Sequence, residues 1–264
     1  MKKKSGLLAL LAFFLGLCPG SAAAQSLEAA LDGYEVIEEA QADVLNEGEA
    51  QQIILFGRRS PWKTPHYKEV QLIVAVNDEV EEQLPLDNMS GFYGARKALF
   101  LGDFTGDGVP EVFVALPTGG SGGLINYRLV SWTSGKGSVL FGEAENRGLT
   151  IRMASENDWR LRILTEQGSV SMLLAGAGRR TDYQRLGYYD AQGNVLKPLP
   201  AFAASFSWLE PEDRDGDGHY MLRGWQQLSG AYRADQLGWV ESVWRYENGA
   251  WSVGNVSLGQ RLMP

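Results

Sequence analysis

Cysteine is almost absent from this chain. Cys18 is the single example in 264 residues, and it lies in an N-terminal segment with the marks of an export signal. Once that segment is removed there is no thiol nucleophile, no thiolate metal site and no disulfide. Histidine is nearly as scarce, with only His66 and His219. The chain has no Gly-x-Ser-x-Gly elbow, no His-Glu-x-x-His pair and no phosphate-binding glycine loop. Positive charge is also in short supply. Taking Lys2, Lys3 and Lys4 from the 24 basic residues leaves 21 against 32 acidic ones. Nucleic acid is therefore not an expected partner, because phosphate binding relies on clustered Lys and Arg. Residues 7–17 form an apolar run, at about eleven residues too short to cross a bilayer as a mature helix, and no other run comes near that need.

What is present at the N-terminus is three lysines, the apolar run and small residues ending in Ala22, Ala23 and Ala24. This order predicts a signal peptide over residues 1–24 and cleavage after Ala24. Lipid attachment would need Cys18, but Leu17 before it and Pro19 after it suit that processing poorly. The expected location is secreted or extracytoplasmic, at the cell envelope. No Pro/Ser linker divides residues 25–264, which read as a single all-β domain.

After an acidic, Ala-rich lead-in over residues 27–42, short apolar or alternating runs recur between Gly, Asn, Asp and Pro. That is the texture of strands and turns. Runs at 52–56, 70–76, 98–101, 112–116, 127–132, 149–153, 161–164, 169–174, 195–196, 220–225, 239–246 and 251–256 are read as strands. Asn248-Gly249 suits a two-residue hairpin turn, in which both central residues need positive φ. Trp225, Trp239, Trp244 and Trp251 fall in these strands and are expected in the core. His66 falls in a Pro-rich stretch read as a surface turn, and the glycine-rich 117–123 as a flexible or close-packed connection.

The most informative segment is 103–111, Asp-Phe-Thr-Gly-Asp-Gly-Val-Pro-Glu. Asp103, Thr105 and Asp107 alternate, Gly106 and Gly108 lie between and after them, and apolar runs flank the whole. A hard divalent cation needs six to eight oxygens at about 2.3–2.6 Å, which a wrapped loop can converge if glycine supplies positive φ. Asp103, Thr105, Asp107, the Val109 carbonyl and Glu111 are the expected calcium ligands. A second loop has Asp213, Asp215, Asp217 and His219, whose carbonyl is the better ligand candidate than its ring. Met221 stands where the first loop has Glu111, so this site is expected to be the weaker one. The two loops with their flanking runs form an imperfect internal repeat.

These loops resemble the FG-GAP or VCBS family of repeats, in which an aspartate-glycine calcium loop joins two strands of a propeller blade. The resemblance points to a degenerate third loop at Asp43, with Glu47 and Gly48 kept but Leu45 and Gln51 at ligand positions. It implies a β-propeller-like fold of about four blade units, closed or incomplete, with a β-sandwich as the alternative. The function so implied is an exported, non-enzymatic calcium-binding module at the cell envelope, with an extracellular glycan or an envelope protein as partner. Two alternatives stand beside it. Eight tryptophans and ten tyrosines suit a calcium-dependent carbohydrate-binding module. Paired carboxylates, which leave no spacing signal, would suit a secreted hydrolase acting on wall polysaccharide.

Overall fold

The computed structural model describes residues 25–260 except 62, 64, 95, 121 and 122. The expected signal peptide, with Cys18 and Ala24, lies outside the described residues. The rest is all-β, as read, in four antiparallel sheets.

The first sheet holds β1 (Glu35–Ala42), β2 (Gln51–Arg59), β3 (His66–Val76) and β4 (Glu79–Pro85) in sequence order, with the short β5 (Gly91–Phe92) beside the start of β3. In the second sheet β6 (Leu99–Gly102), β7 (Glu111–Pro117), β8 (Ile125–Ser131) and β9 (Ser138–Phe141) follow the same meander. The third sheet has three strands, β10 (Arg152–Glu156), β11 (Arg160–Thr165) and β12 (Gly168–Leu173). The fourth is β13 (Phe202–Glu212), β14 (Met221–Ser229), β15 (Gln236–Glu247) and β16 (Ala250–Gln260). Between β15 and β16, Asn248 (φ 54°) and Gly249 (φ 79°) form the expected two-residue turn.

Each sheet buries apolar residues by the period-2 rule, and the partner of each face decides the architecture. Ile53, Leu55, Leu72 and Val74 pack against Val112, Val114 and Val130, joining the first sheet to the second. The opposite face of the first sheet, with Ile54, Phe56 and Ile73, is covered by α1 (Leu27–Ala30). That is why β2 is buried on both sides. The other face of the second sheet, with Phe113, Tyr127 and Leu129, meets Phe206, Leu222 and Trp244 of the fourth. Leu228 and Val240, further along the fourth sheet, meet Leu161, Ile163 and Met172 of the third.

A propeller of sequential blades would stack the second sheet on the third and the fourth on the first. Here the fourth sheet takes both the second and the third, and among the described residues no apolar cluster joins the first sheet to the third. The expectation of a propeller-like ring is corrected accordingly: the sheets form an open array without closure. The connection from the second sheet to the third includes the short α2 (Glu143–Asn146) and is fixed by buried Gln226 of β14. Its amide accepts from Leu149 N at 2.7 Å and donates to the carbonyls of Leu149, Arg147 and Ala204. After the third sheet, α3 (Ala177–Arg185) is tied down by Asp235, which accepts from the Tyr183 hydroxyl, from Arg179 Nε at 2.9 Å and from Ala231 N at 3.0 Å.

Candidate functional site

The Asp103 loop joins β6 to β7, and its side chains turn inward on its own backbone. Asp103 accepts from Gly106 N at 2.6 Å and Gly108 N at 2.8 Å, one amide on each carboxylate oxygen. Asp107 accepts from Val109 N at 2.9 Å. Glu111 is fully buried and accepts from Phe104 N at 2.7 Å, from Thr105 N at 3.3 Å and from the Thr105 hydroxyl at 3.1 Å. Gly106 and Gly108, at φ 77° and 84°, provide the left-handed backbone that brings these amides round. Burial pushes the Glu111 carboxyl up, opposed by the Phe104 amide and Thr105 hydroxyl and assisted by the nearby Asp107 and Asp103.

The other two loops repeat the arrangement. Asp213, between β13 and β14, accepts from Gly216 N at 2.8 Å and Gly218 N at 3.1 Å, and Asp217 from His219 N at 2.9 Å. Asp215 is exposed. Asp43, between β1 and β2, accepts from Glu47 N and Gly48 N, and Gln51 accepts from Val44 N at 2.9 Å and Leu45 N at 3.2 Å. Gln51 thus does with a neutral amide what Glu111 does with a carboxylate. The loops of the second and fourth sheets also dock on each other. Tyr220 N donates to Asp103 O at 2.7 Å, and His219 Nε2 lies 3.1 Å from the Phe104 carbonyl, to which it donates in the Nε2–H tautomer.

Both oxygens of Asp103 and both of Glu111 are occupied by donors of the loop. Among the described residues no group of three or more His, Cys, Asp or Glu is placed to hold a metal ion.

A different feature lies beside these loops and was not read from the sequence. A cleft of about 920 Å³ opens between the second sheet and the edge strand β13. Phe100, Phe113, Ala115, Ile125 and Tyr127 form its apolar floor, and Ser207, Trp208, Leu209 and Pro211 one wall. Tyr93, Arg96 and Lys97 of the β5–β6 connection and Gly119, Gly120 and Gly123 of the β7–β8 connection close the remaining sides. Gly119 packs so tightly there that a Cβ would sit 2.1 Å from the Phe92 ring. The wall is pinned to the floor where Leu209 N donates to Tyr127 Oη at 2.9 Å, and burial pushes that phenol's pKa up. The Arg96 guanidinium lies over the Trp208 ring at 3.7 Å from its centroid. The one sequence signal for this place was the glycine-rich 117–123, and it pointed to a connection rather than to a site.

The tryptophans divide between core and surface. Trp244 is buried as expected, Trp225 and Trp251 are half-buried, and Trp239 is exposed, which corrects the core reading for that residue.

Comparison with known proteins adds three findings. A family model described as the YybI C-terminal domain matches residues 149–259. The uncharacterized protein YybI of Bacillus subtilis (strain 168) is 28% identical over 213 residues, covering 80% of this chain and 79% of that protein. A crystal structure of the rhamnogalacturonan lyase YesW is similar at a TM-score of 0.36 and 16% identity over 85% of this chain, which spans 34% of that structure's chain. The resemblance to FG-GAP or VCBS repeats is thereby overturned. The matching family is a different one, and its model takes in the whole Asp213 loop together with the third and fourth sheets.

Proposed function

We propose that this chain is an extracytoplasmic, non-enzymatic binding module whose ligand enters the cleft between the second sheet and β13. The observation that carries this reading is the cleft itself: its volume of about 920 Å³ and its aromatic, largely apolar floor. Small-molecule sites have this character, apolar concavities of about 300–1,000 Å³ with a few polar groups at defined places. Among the described residues no Asp, Glu, His or Cys lines it. His, Asp and Glu are the usual general acids and bases, and Ser207 has none of them in the lining to activate it, so the lining favours binding over turnover. The location comes from the N-terminal sequence. The test uses N-phenyl-1-naphthylamine, a neutral apolar fluorophore. Saturable one-to-one binding is expected, weakened by Ala115→Leu, which fills the floor. Absence of saturable binding by the wild-type protein would end this reading.

A second reading, calcium binding by the Asp103 loop, has one observation in its favour. Glu111 is buried with Asp103 and Asp107 close enough to raise its pKa, and a divalent cation would relieve that repulsion. Each Asp103 oxygen accepts one amide and keeps a second lone pair for an ion, whereas Glu111 Oε2 already serves two amides. A melting temperature that rises in millimolar calcium relative to chelator, with the increment lost in Asp107→Ala, is the expected result under this reading. An unchanged melting temperature removes it.

A further inference from the structure

Charge at the mouth of the cleft is distributed against the trend of the whole chain. Acidic residues outnumber basic ones by 32 to 24, yet among the described residues the cleft is lined by two cations, Arg96 and Lys97, and by no carboxylate. Both cations are exposed, and neither takes part in an ion pair among the described residues. Nor does any Arg96 N–H donate a hydrogen bond there; its guanidinium stacks on Trp208 and its charge acts on the Tyr127 phenol. That stack orients the guanidinium plane while leaving its in-plane donors unspent, the arrangement in which arginine receives a carboxylate on two parallel N–H groups. Two carboxylates lie at the rim but are held by other donors: Glu38 of β1 by Ala98 N and Glu210 of β13 by Trp208 Nε1 at 2.8 Å.

Resting on the reading of the cleft as a ligand site, we propose that its occupant is a small amphiphilic carboxylate. The apolar body lies on Phe113, Ala115 and Tyr127, and the anionic group meets Arg96 with Lys97 beside it. The apolar floor accounts for the body and the unspent donors account for the head. A neutral apolar molecule leaves the guanidinium without a partner, and a compact inorganic anion leaves the floor wet. The cleft is bounded by two sheets and two connections and its volume is that of a small-molecule site, so the occupant is a free molecule rather than a membrane surface.

The experiment displaces N-phenyl-1-naphthylamine from the full chain with dodecanoate and, separately, with dodecanol, a probe of equal chain length without the charge, both below their aggregation thresholds. Dodecanoate should bind about tenfold or more tightly than dodecanol, the increment of one charge-assisted hydrogen-bonded contact. Raising the salt should narrow that difference. Arg96→Gln with Lys97→Gln should remove most of it; both residues are exposed, so the fold is retained and circular dichroism checks it. Equal affinity for the two probes in the wild-type protein overturns the proposal while leaving the cleft as a site. So does a dodecanoate affinity indifferent to the double substitution. Binding to vesicles of anionic phospholipid without binding to dodecanoate also overturns it. If the fluorophore itself fails to bind, the failure belongs to the underlying reading of the cleft.

Discussion

At the scale of single residues, Glu111 is where two accounts of the aspartate loop diverge. It is fully buried and its carboxylate serves two backbone amides and a hydroxyl. Gln51 serves the equivalent amides in the Asp43 loop without charge. Glu111→Gln should therefore fold with little loss, whereas Glu111→Ala, which strands the Phe104 and Thr105 amides, should cost roughly 2–3 kcal/mol in denaturant melts. The pH dependence has a definite sign. Burial raises the folded pKa above the unfolded value near 4.5. The folded protein then holds this proton more firmly, and its contribution to stability is complete below the unfolded pKa and lost as pH rises through the folded one. Melts of wild type and Glu111→Gln from pH 4 upward should diverge across that window, with the variant flatter; parallel curves would contradict the raised pKa. The Asp and Gly positions of this loop were plain in the sequence. The direction of the carboxylates was not, because alternation fixes neither which amide each oxygen meets nor whether an ion lies between them.

At the scale of elements, strands with strong apolar alternation were evident and those without it were missed. β7 and β14, with buried Val112, Val114 and Leu222, overlap the runs marked at 112–116 and 220–225 and extend beyond them. β4 was missed because it is an edge strand reading Glu-Val-Glu-Glu-Gln-Leu-Pro with no buried residue, and its pairing with β3 holds it in place. β1 was read as an acidic lead-in because Ile37 is its one buried residue among glutamates and alanines. α3 was missed because it carries no apolar stripe; Tyr183 is its one buried residue, and Asp235 of the β14–β15 connection anchors it. The run at 195–196 is only an isolated bridge, Tyr189 to Val195. The connection between the second and third sheets depends on one side chain of a distant strand. Gln226→Ala would leave Leu149 N without its acceptor and three carbonyls without a donor. A cost of about 3 kcal/mol is expected, with amide exchange at Leu149 accelerated more than in the centre of β7. Uniform acceleration across both would mean that the connection has no separate anchor.

At the scale of the whole molecule, the fourth sheet is the keystone, since one of its faces meets both the second and the third. The segment 149–259 that matches a family model contains only part of the core it uses. Phe206, Leu209, Leu222 and Trp244 pack on Phe104, Phe113, Tyr127, Leu129 and Phe141, which lie outside it. Produced alone, that segment should expose this face and lose on the order of 6 kcal/mol or more of burial. Self-association in sedimentation, or a melting temperature well below that of the full chain, is the expected outcome. A monomer of undiminished stability would show the segment to be self-sufficient.

The sequence by itself determined what short-range physics controls: β rather than helical character from period-2 alternation, turn positions from Gly, Asn and Asp, and a thrice-repeated aspartate loop at the first hairpin of three sheets. Only the tertiary structure decided which sheet lies on which, that the aspartates clasp their own amides, and that a cationic mouth stands over an apolar cleft. These depend on contacts such as Leu209 N to Tyr127 Oη, 82 residues apart, and His219 to the Phe104 carbonyl, 115 apart. An apolar face must be buried, but its pattern is the same whichever neighbouring face buries it, so partner choice is settled by packing among all four sheets at once.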